Sequence, residues 1–332
     1  MGESFNCLTI LVTNQCPLKC AHCGPRSGPN ATGALSNEDI EPLLDEAVRR
    51  KCKLVNFSGG EPFLLGKILV QMIRSTASRR LLSRITTGAF WARTPTVAGA
   101  RLTALAEAGL KQLFISCGDT HAKYVPVQNV VNASASARTL GVQVFLSITT
   151  SRISSIRPDT IRAAFEAAGV PIPPVFTSPV IPFGRASENF SNDHLLLRDV
   201  NELVGGCPSL SQHPTVHPDG TITGCAVVFG KDCPALGHGN IFENSFAAVI
   251  DRMNSHPLVA WIHHLGVVSL KELVERNSQI RFKEQYVNIC HLCGDILSNR
   301  AALACLSELG LNPPGTSGAR LSDSPLKIIG QD

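Results

Sequence analysis

An α/β fold built on parallel strands is predicted by three features of the sequence. Short β-branched runs alternate with longer amphipathic stretches up to about residue 180. Six such strand-and-helix units follow one another with no internal repeat. Residues that start and stop helices stand at the joints. The strands are expected at Leu8–Thr13, Leu54–Ser58, Ser83–Thr87, Gln112–Cys117, Gln143–Thr149 and Val175–Ser178. Helices are expected near Asn37–Arg50, Leu65–Ser78, Val97–Ala108, Val127–Leu140 and Pro158–Ala168. Ser36, with Asp39 three residues on, reads as a capping box, and Gly109 and Gly141 stand where helix C-caps belong. Parallel strands joined by right-handed crossovers build either an open doubly wound sheet or a barrel, and both gather chemistry at the C-terminal strand ends.

At 332 residues the chain is long enough for a main core plus a smaller second one. Pro179, Pro182 and Gly184 interrupt the βα rhythm, and from Cys207 the sequence turns irregular, rich in Gly and Pro and cysteine-bearing. The expected division is therefore an α/β unit over 1–184, a linker over 185–206, a small α+β domain over 207–310 and a disordered tail over 311–332. No apolar run approaches the roughly 20 residues that cross a bilayer, and the N-terminus lacks the pattern of a secretory signal. A cytoplasmic location with no membrane partner is expected. The net charge of +4 is dispersed, which argues against a nucleic-acid partner. Twelve cysteines are the outlier. In a reducing compartment, CxxC spacings point to metal or cluster ligation rather than disulfides.

Cys16, Cys20 and Cys23 place three thiols within eight residues, directly after the first strand. Structural zinc usually takes four close ligands, whereas three thiolates on a tight loop can hold a cubane and leave its fourth iron open. This C-x3-C-x2-C spacing, together with Ser58-Gly59-Gly60-Glu61-Pro62 at the end of the second strand, resembles the radical S-adenosylmethionine superfamily. The resemblance implies a partial (β/α)6 TIM-like barrel and a [4Fe–4S] cluster that cleaves S-adenosylmethionine reductively. The resulting 5′-deoxyadenosyl radical then abstracts a substrate hydrogen. It also implies that Gly59 and Gly60 let the backbone approach the methionine moiety and that Glu61 faces its ammonium group. Thr87, Ser116, Asp119 and Ser147 are carried over as further cofactor contacts. The family's Ser-x-Asp pattern is displaced here, where Ser116-Cys117-Gly118-Asp119 stands. His22, before the third cysteine, would shield the cluster edge.

Cys207 and Cys225 flank a segment that reads as a hairpin with a Pro-Asp-Gly turn, and Cys290 and Cys293 form a CxxC. Two such pairs can enclose one further cluster, although a structural zinc uses the same ligands. The arrangement resembles the auxiliary-cluster extension called twitch, the short form of the SPASM domain. Gly239-Asn240-Ile241 and Pro182-Phe183-Gly184-Arg185-Ala186 are similar to stretches found with it. On that resemblance Cys207, Cys225, Cys290 and Cys293 would hold an auxiliary [4Fe–4S] cluster. Cys233, left over between the pairs, is a candidate hydrogen-atom donor, with Cys117 the weaker candidate. Cys7, Cys52 and Cys305 fall in apolar periodic contexts and are expected in the core.

A donor thiol points to epimerisation, most simply of a residue in a ribosomally made peptide. With so few residues ahead of the triad, either a peptide is expected to bind the barrel mouth directly or the substrate is small. Oxidation or epimerisation of a small molecule such as an aminoglycoside is the second reading, and a non-catalytic iron–sulfur electron carrier the third. A flavodoxin- or ferredoxin-like reductant is the expected partner.

Overall fold

The computed structural model describes residues 4–225 and 233–312. The chain runs β1 (Cys7–Thr13), α1 (Asn37–Arg49), β2 (Leu54–Gly59), α2 (Lys67–Ser78), β3 (Leu82–Thr87), α3 (Pro95–Glu107), β4 (Gln112–Cys117), α4 (Asp119–Ala122), α5 (Val127–Thr139), β5 (Gln143–Thr150), α6 (Pro158–Ala167) and β6 (Val175–Pro179). The six strands pair in sequence order and all in parallel. This is the predicted α/β architecture, a partial barrel of βα units, with element ends within two residues of expectation. The tail expected over 311–332 lies, from 313 onward, outside the described residues.

Local chemistry explains the joints. Ser36 and Asp39 close the expected capping box, with Asp39 N–H donating to Ser36 Oγ at 3.2 Å and Ser36 N–H to Asp39 Oδ2 at 2.8 Å. Thr94 caps α3, with Pro95 at its first position. Gly109 follows α3 at φ +105°, a conformation an L side chain rarely adopts.

Strand residues alternate in burial. Ile85, Leu113, Leu146 and their neighbours pack beneath the helices in one core, while Arg84, Thr86, Phe114, Ser116, Phe145 and Ser147 occupy the half-buried inner face. On that face the Arg84 guanidinium lies 5.3 Å from the Phe114 ring centre and 5.7 Å from that of Phe145.

After β6 come α7 (Ala186–Asn189), β7 (Arg198–Asp199), β8 (Thr215–Val216), β9 (Thr221–Thr223), β10 (Gly237–Asn240), α8 (Phe246–Asn254), α9 (Pro257–His264), α10 (Gly266–Asn277), β11 (Gln285–Tyr286), α11 (Ile289–Ser298) and α12 (Arg300–Glu308). The expected hairpin forms as β8 and β9. It also joins the barrel sheet, because β8 runs parallel to β1 through Thr9↔Thr215 and Ile10↔Val216. Val216, Ile222 and the apolar face of α8 belong to the barrel core. A second core forms from α9–α12 together with Val200, Leu203, Leu210, Cys225, Cys233, Ala235 and Leu236. Arg50 ties α1 to α8: its Nε lies 2.5 Å from buried Glu46 and its Nη2 2.7 Å from Asp251. Among the described residues, no helix is long and apolar enough to cross a membrane.

Candidate active site

The loop after β1 is shaped by contacts with the turn after β2. Gly60 N–H donates to Thr13 O at 2.6 Å and Glu61 N–H to Gln15 O at 2.8 Å. The approach is possible only without side chains: a Cβ on Gly60 would lie 2.0 Å from Gln15 O, and one on Gly59 2.5 Å from Thr13 O. The same loop closes through Cys16 N–H to Gly28 O at 3.0 Å and Cys23 N–H to Cys20 O at 3.2 Å.

This brings Cys16, Cys20, Cys23, Gly59, Gly60, Glu61, Thr87 and Ser116 to one cavity of about 300 Å³ at the C-terminal strand ends. Burial pushes the Cys16 and Cys20 thiols up to about 12. Thiols so raised stay protonated at neutral pH until a metal displaces the proton.

Glu61 is buried, which pushes its carboxyl up to about 7 against the lowering effect of its hydrogen bonds. It accepts from Thr87 Oγ1 at 2.8 and 2.9 Å, from Gly88 N–H at 3.0 Å and from Phe63 N–H at 3.2 Å. Thr87 is itself held by Trp91, whose Nε1–H donates to its hydroxyl at 3.0 Å, and Trp91 stacks on Phe63 at 4.0 Å. The carboxylate therefore has one orientation. His22 and His121 meet edge to face at 4.9 Å, and Thr120 Oγ1 bonds His22 Nδ1. Burial holds His22 at about 4 and His121 at about 3, so both rings are neutral.

Other expected site residues lie elsewhere. Asp119 does not line the cavity; its carboxylate accepts from Ser155 N–H at 2.9 Å and Ile156 N–H at 3.2 Å, fastening the turn before α6. Ser147 stands beside Ser116 in the β4–β5 register, outside the cavity lining. Cys117 points to the helix side and is buried in the barrel core.

Cys207, Cys225, Cys290 and Cys293 line a second, small cavity within the second core. Asn288 caps α11, which sets Cys290 and Cys293 one helical turn apart on one face. Cys233 is fully buried in the same core, within electrostatic reach of Cys293, and does not line the first cavity. Cys52 and Cys305 are core residues as expected, and Cys7 is half-buried. Among the described residues no three His, Cys, Asp or Glu side chains converge closely enough to ligate a single metal ion.

The first cavity contains atoms that ask for a ligand. Ser27 Oγ, His121 Nδ1 and Arg185 Nη2 are buried there with no hydrogen-bond partner. Sequence reading did not single out Ser27 or Arg185 as site residues; Arg185 appeared only within a motif, and Ser27 carried no local signal at all.

Residues 10–142 match the Radical SAM superfamily. Over that stretch of its 332 residues the chain is similar to the superfamily. The match implies a [4Fe–4S] cluster and S-adenosylmethionine, and the residues present fit both: three thiols on one loop, a cavity lined by Gly59 and Gly60, one buried carboxylate, and three buried polar atoms without partners. The chain is 29% identical over 115 residues to a probable GTP 3′,8-cyclase of Methanocella arvoryzae, covering 35% of each protein. It is 41% identical over 56 residues to the mycofactocin maturase MftC of Mycobacterium ulcerans, covering 17% of this chain and 15% of that one. It thus spans about a third or less of the curated relatives it matches. The solved structure of anSMEcpe with bound AdoMet superposes with a TM-score of 0.56 at 11% identity, covering 92% of this chain and 97% of that one, which shows the shared fold.

Proposed function

We propose that this chain is a radical S-adenosylmethionine enzyme that abstracts a hydrogen atom from its substrate. The observation carrying the reading is the single cavity that unites the three thiols with Gly59, Gly60, Glu61 and three unpartnered buried polar atoms. Cys16, Cys20 and Cys23 would hold the radical cluster. When bound, that cluster and its cofactor supply a one-electron cleavage of the sulfonium and a carbon radical. The chain's own residues bind and orient. Glu61, steadied by Thr87, Gly88 and Phe63, faces the ammonium group, while neutral His22 and His121 wall the cavity without adding charge. The half-buried inner face of β2–β5, with Asn56, Thr86 and Ser116, is where substrate would lie.

Cys207, Cys225, Cys290 and Cys293 would hold an auxiliary cluster in a twitch-like module. Epimerisation, with a peptide as substrate, is the outcome we favour. Its support is the Cys233 thiol, held in the second core beside Cys293. An S–H is weaker than an alkyl C–H, so it returns hydrogen to a substrate radical. Oxidation is the second reading, favoured by one observation: Cys233 is fully buried and outside the lining of the first cavity. A flavodoxin- or ferredoxin-like reductant would serve either outcome.

The test is reconstituted, reduced protein with S-adenosylmethionine and candidate peptides in D2O. Release of 5′-deoxyadenosine with a product one mass unit heavier supports epimerisation, and a product two units lighter supports oxidation. Intact S-adenosylmethionine after reduction overturns the whole reading. Cys233→Ala should abolish the one-unit gain.

A further inference from the structure

Arg84 brings a full charge to the inner face of the barrel. Its neighbours in the strand register are Asn56 on β2 and Gln112 on β4, both neutral. Asn56 lines the first cavity, and so does Thr86, two residues further along β3, so Arg84 stands at the floor of that cavity. Two of its N–H groups are spent on one neutral oxygen: Nε–H and Nη2–H donate to Gln112 Oε1 at 3.0 and 2.7 Å. Gln112 Nε2 in turn donates to Gln143 Oε1 at 3.2 Å, which keeps the amide oxygen turned towards the guanidinium.

The charge itself is unanswered. Burial works against it, and the ionisable group that acts on it is the Cys7 thiol, not a carboxylate. Among the described residues Arg84 has no ion-pair partner. A desolvated cation without a counter-ion is costly, and the Phe114 and Phe145 rings, 5.3 and 5.7 Å away, offset that cost only in part. Phe176 on β6 adds a third ring, 6.2 Å from Phe114 and 6.0 Å from Phe145, and it is 54% exposed, so the protein leaves this apolar wall uncovered. A monoanion joined to a hydrocarbon group matches both features. One guanidinium among neutral amides balances one charge, which suits a carboxylate and leaves a phosphate dianion half-neutralised. Its planar fork also matches carboxylate geometry.

We propose that Arg84 is a specificity-determining residue that binds a carboxylate of the substrate, with the hydrocarbon beside that carboxylate lying on Phe114, Phe145 and Phe176. The proposal rests on the reading of the first cavity as the radical site and deepens it by naming the group through which a peptide is held: a chain-end or side-chain carboxylate next to an apolar residue.

The experiment measures binding of N-acetylphenylalanine and of its amide by calorimetry to the reconstituted protein with S-adenosylmethionine, as wild type, Arg84→Met and Gln112→Glu. Arg84→Met keeps a stem between the rings and removes the charge. Gln112→Glu keeps the arginine and supplies the counter-ion that the fold lacks, so the comparison survives even if Arg84→Met does not fold. A charge-assisted hydrogen bond of this kind corresponds to roughly 10- to 100-fold in affinity. Wild type should prefer the acid over the amide by that factor, and both variants should bring the ratio to within about threefold by weakening the acid alone. A ratio near one in wild type, or the wild-type ratio retained in either variant, overturns the proposal. Tighter binding of phenyl phosphate than of the acid overturns the choice of carboxylate. N-acetylglutamylphenylalaninamide separates the two carboxylate sources: binding as tight as that of N-acetylphenylalanine supports a side-chain carboxylate, and weaker binding supports a chain end. Protein that prefers the acid but leaves S-adenosylmethionine intact on reduction sinks the radical reading, an outcome distinct from failure at Arg84.

Discussion

Replacing Gly60 by Ala would place a Cβ 2.0 Å from Gln15 O, 2.6 Å from Gln15 C and 2.9 Å from Asn14 C, all backbone atoms that no rotamer change can move. Real Cβ atoms keep at least 3.0 Å from such neighbours, so the loop after β1 and the turn after β2 must part by at least about 1 Å. That separation stretches the Gly60 N–H to Thr13 O and Glu61 N–H to Gln15 O bonds, each worth about 1 kcal/mol. Overpacking adds about 1–3 kcal/mol. The expected destabilisation is therefore about 3–5 kcal/mol, a fall of about 10 °C in Tm. Because the same two bonds set the cysteine loop against Glu61, iron incorporation should fall with stability. Thermal denaturation followed by circular dichroism, with iron counted after reconstitution, measures both. Gly99→Ala is the control: Gly99 lies inside α3 with nothing near its would-be Cβ, so Ala there should raise stability by about 1 kcal/mol. A Gly60→Ala protein that melts within about 1 °C of wild type and takes up full iron would refute the steric argument.

Four further expectations concern charge and thiols. Glu61 has its folded pKa raised to about 7, so the ligand-free fold is most stable with it protonated and loses up to about 3 kcal/mol as pH rises from about 4.5 to 7. Urea titrations should show that loss, and Glu61→Gln should remove it. His238 behaves in the opposite sense: burial, with the His256 and Arg252 charges, holds it at about 3, so stability is full above about 6.5 and falls by about 1.4 kcal/mol per pH unit below it. His238→Gln should flatten that acid limb. Arg50→Met leaves Glu46 buried without its principal partner and should cost about 3–5 kcal/mol, whereas the double change of Arg50 and Glu46 to Met recovers most of it; both are read from denaturant midpoints. Cys290→Ser combined with Cys293→Ser should halve the iron bound per chain and leave S-adenosylmethionine cleavage measurable, while Cys16→Ala abolishes cleavage; iron analysis and chromatography of 5′-deoxyadenosine check the pair.

The first six strands and their helices were legible from the chain because their signals are local. A period-2 run such as Gln143–Thr150, or a Ser36–Asp39 capping box, carries its instruction within a few residues. The cysteine loop and the Gly-Gly-Glu turn were legible for the same reason. Asp119 shows what locality leaves out, since nothing near it in the chain announces that its carboxylate accepts from the Ser155 and Ile156 N–H groups.

Which side chains share a cavity is a different kind of fact. Arg185 reaches Cys20 only because β6 returns the chain to the mouth of the barrel, and the Thr215–Thr223 hairpin extends β1 only because that edge of the sheet was open. Cys233 joins the other four thiols through the packing of α11 against the 233–236 segment. None of these pairings leaves a periodic or spacing signal, because each comes from burying apolar area and satisfying backbone groups across the whole chain. The sequence by itself determined the parallel α/β frame, the thiol-bearing loop and the Gly-Gly-Glu turn beside it; the tertiary structure alone decided which cation and which buried polar atoms face that loop.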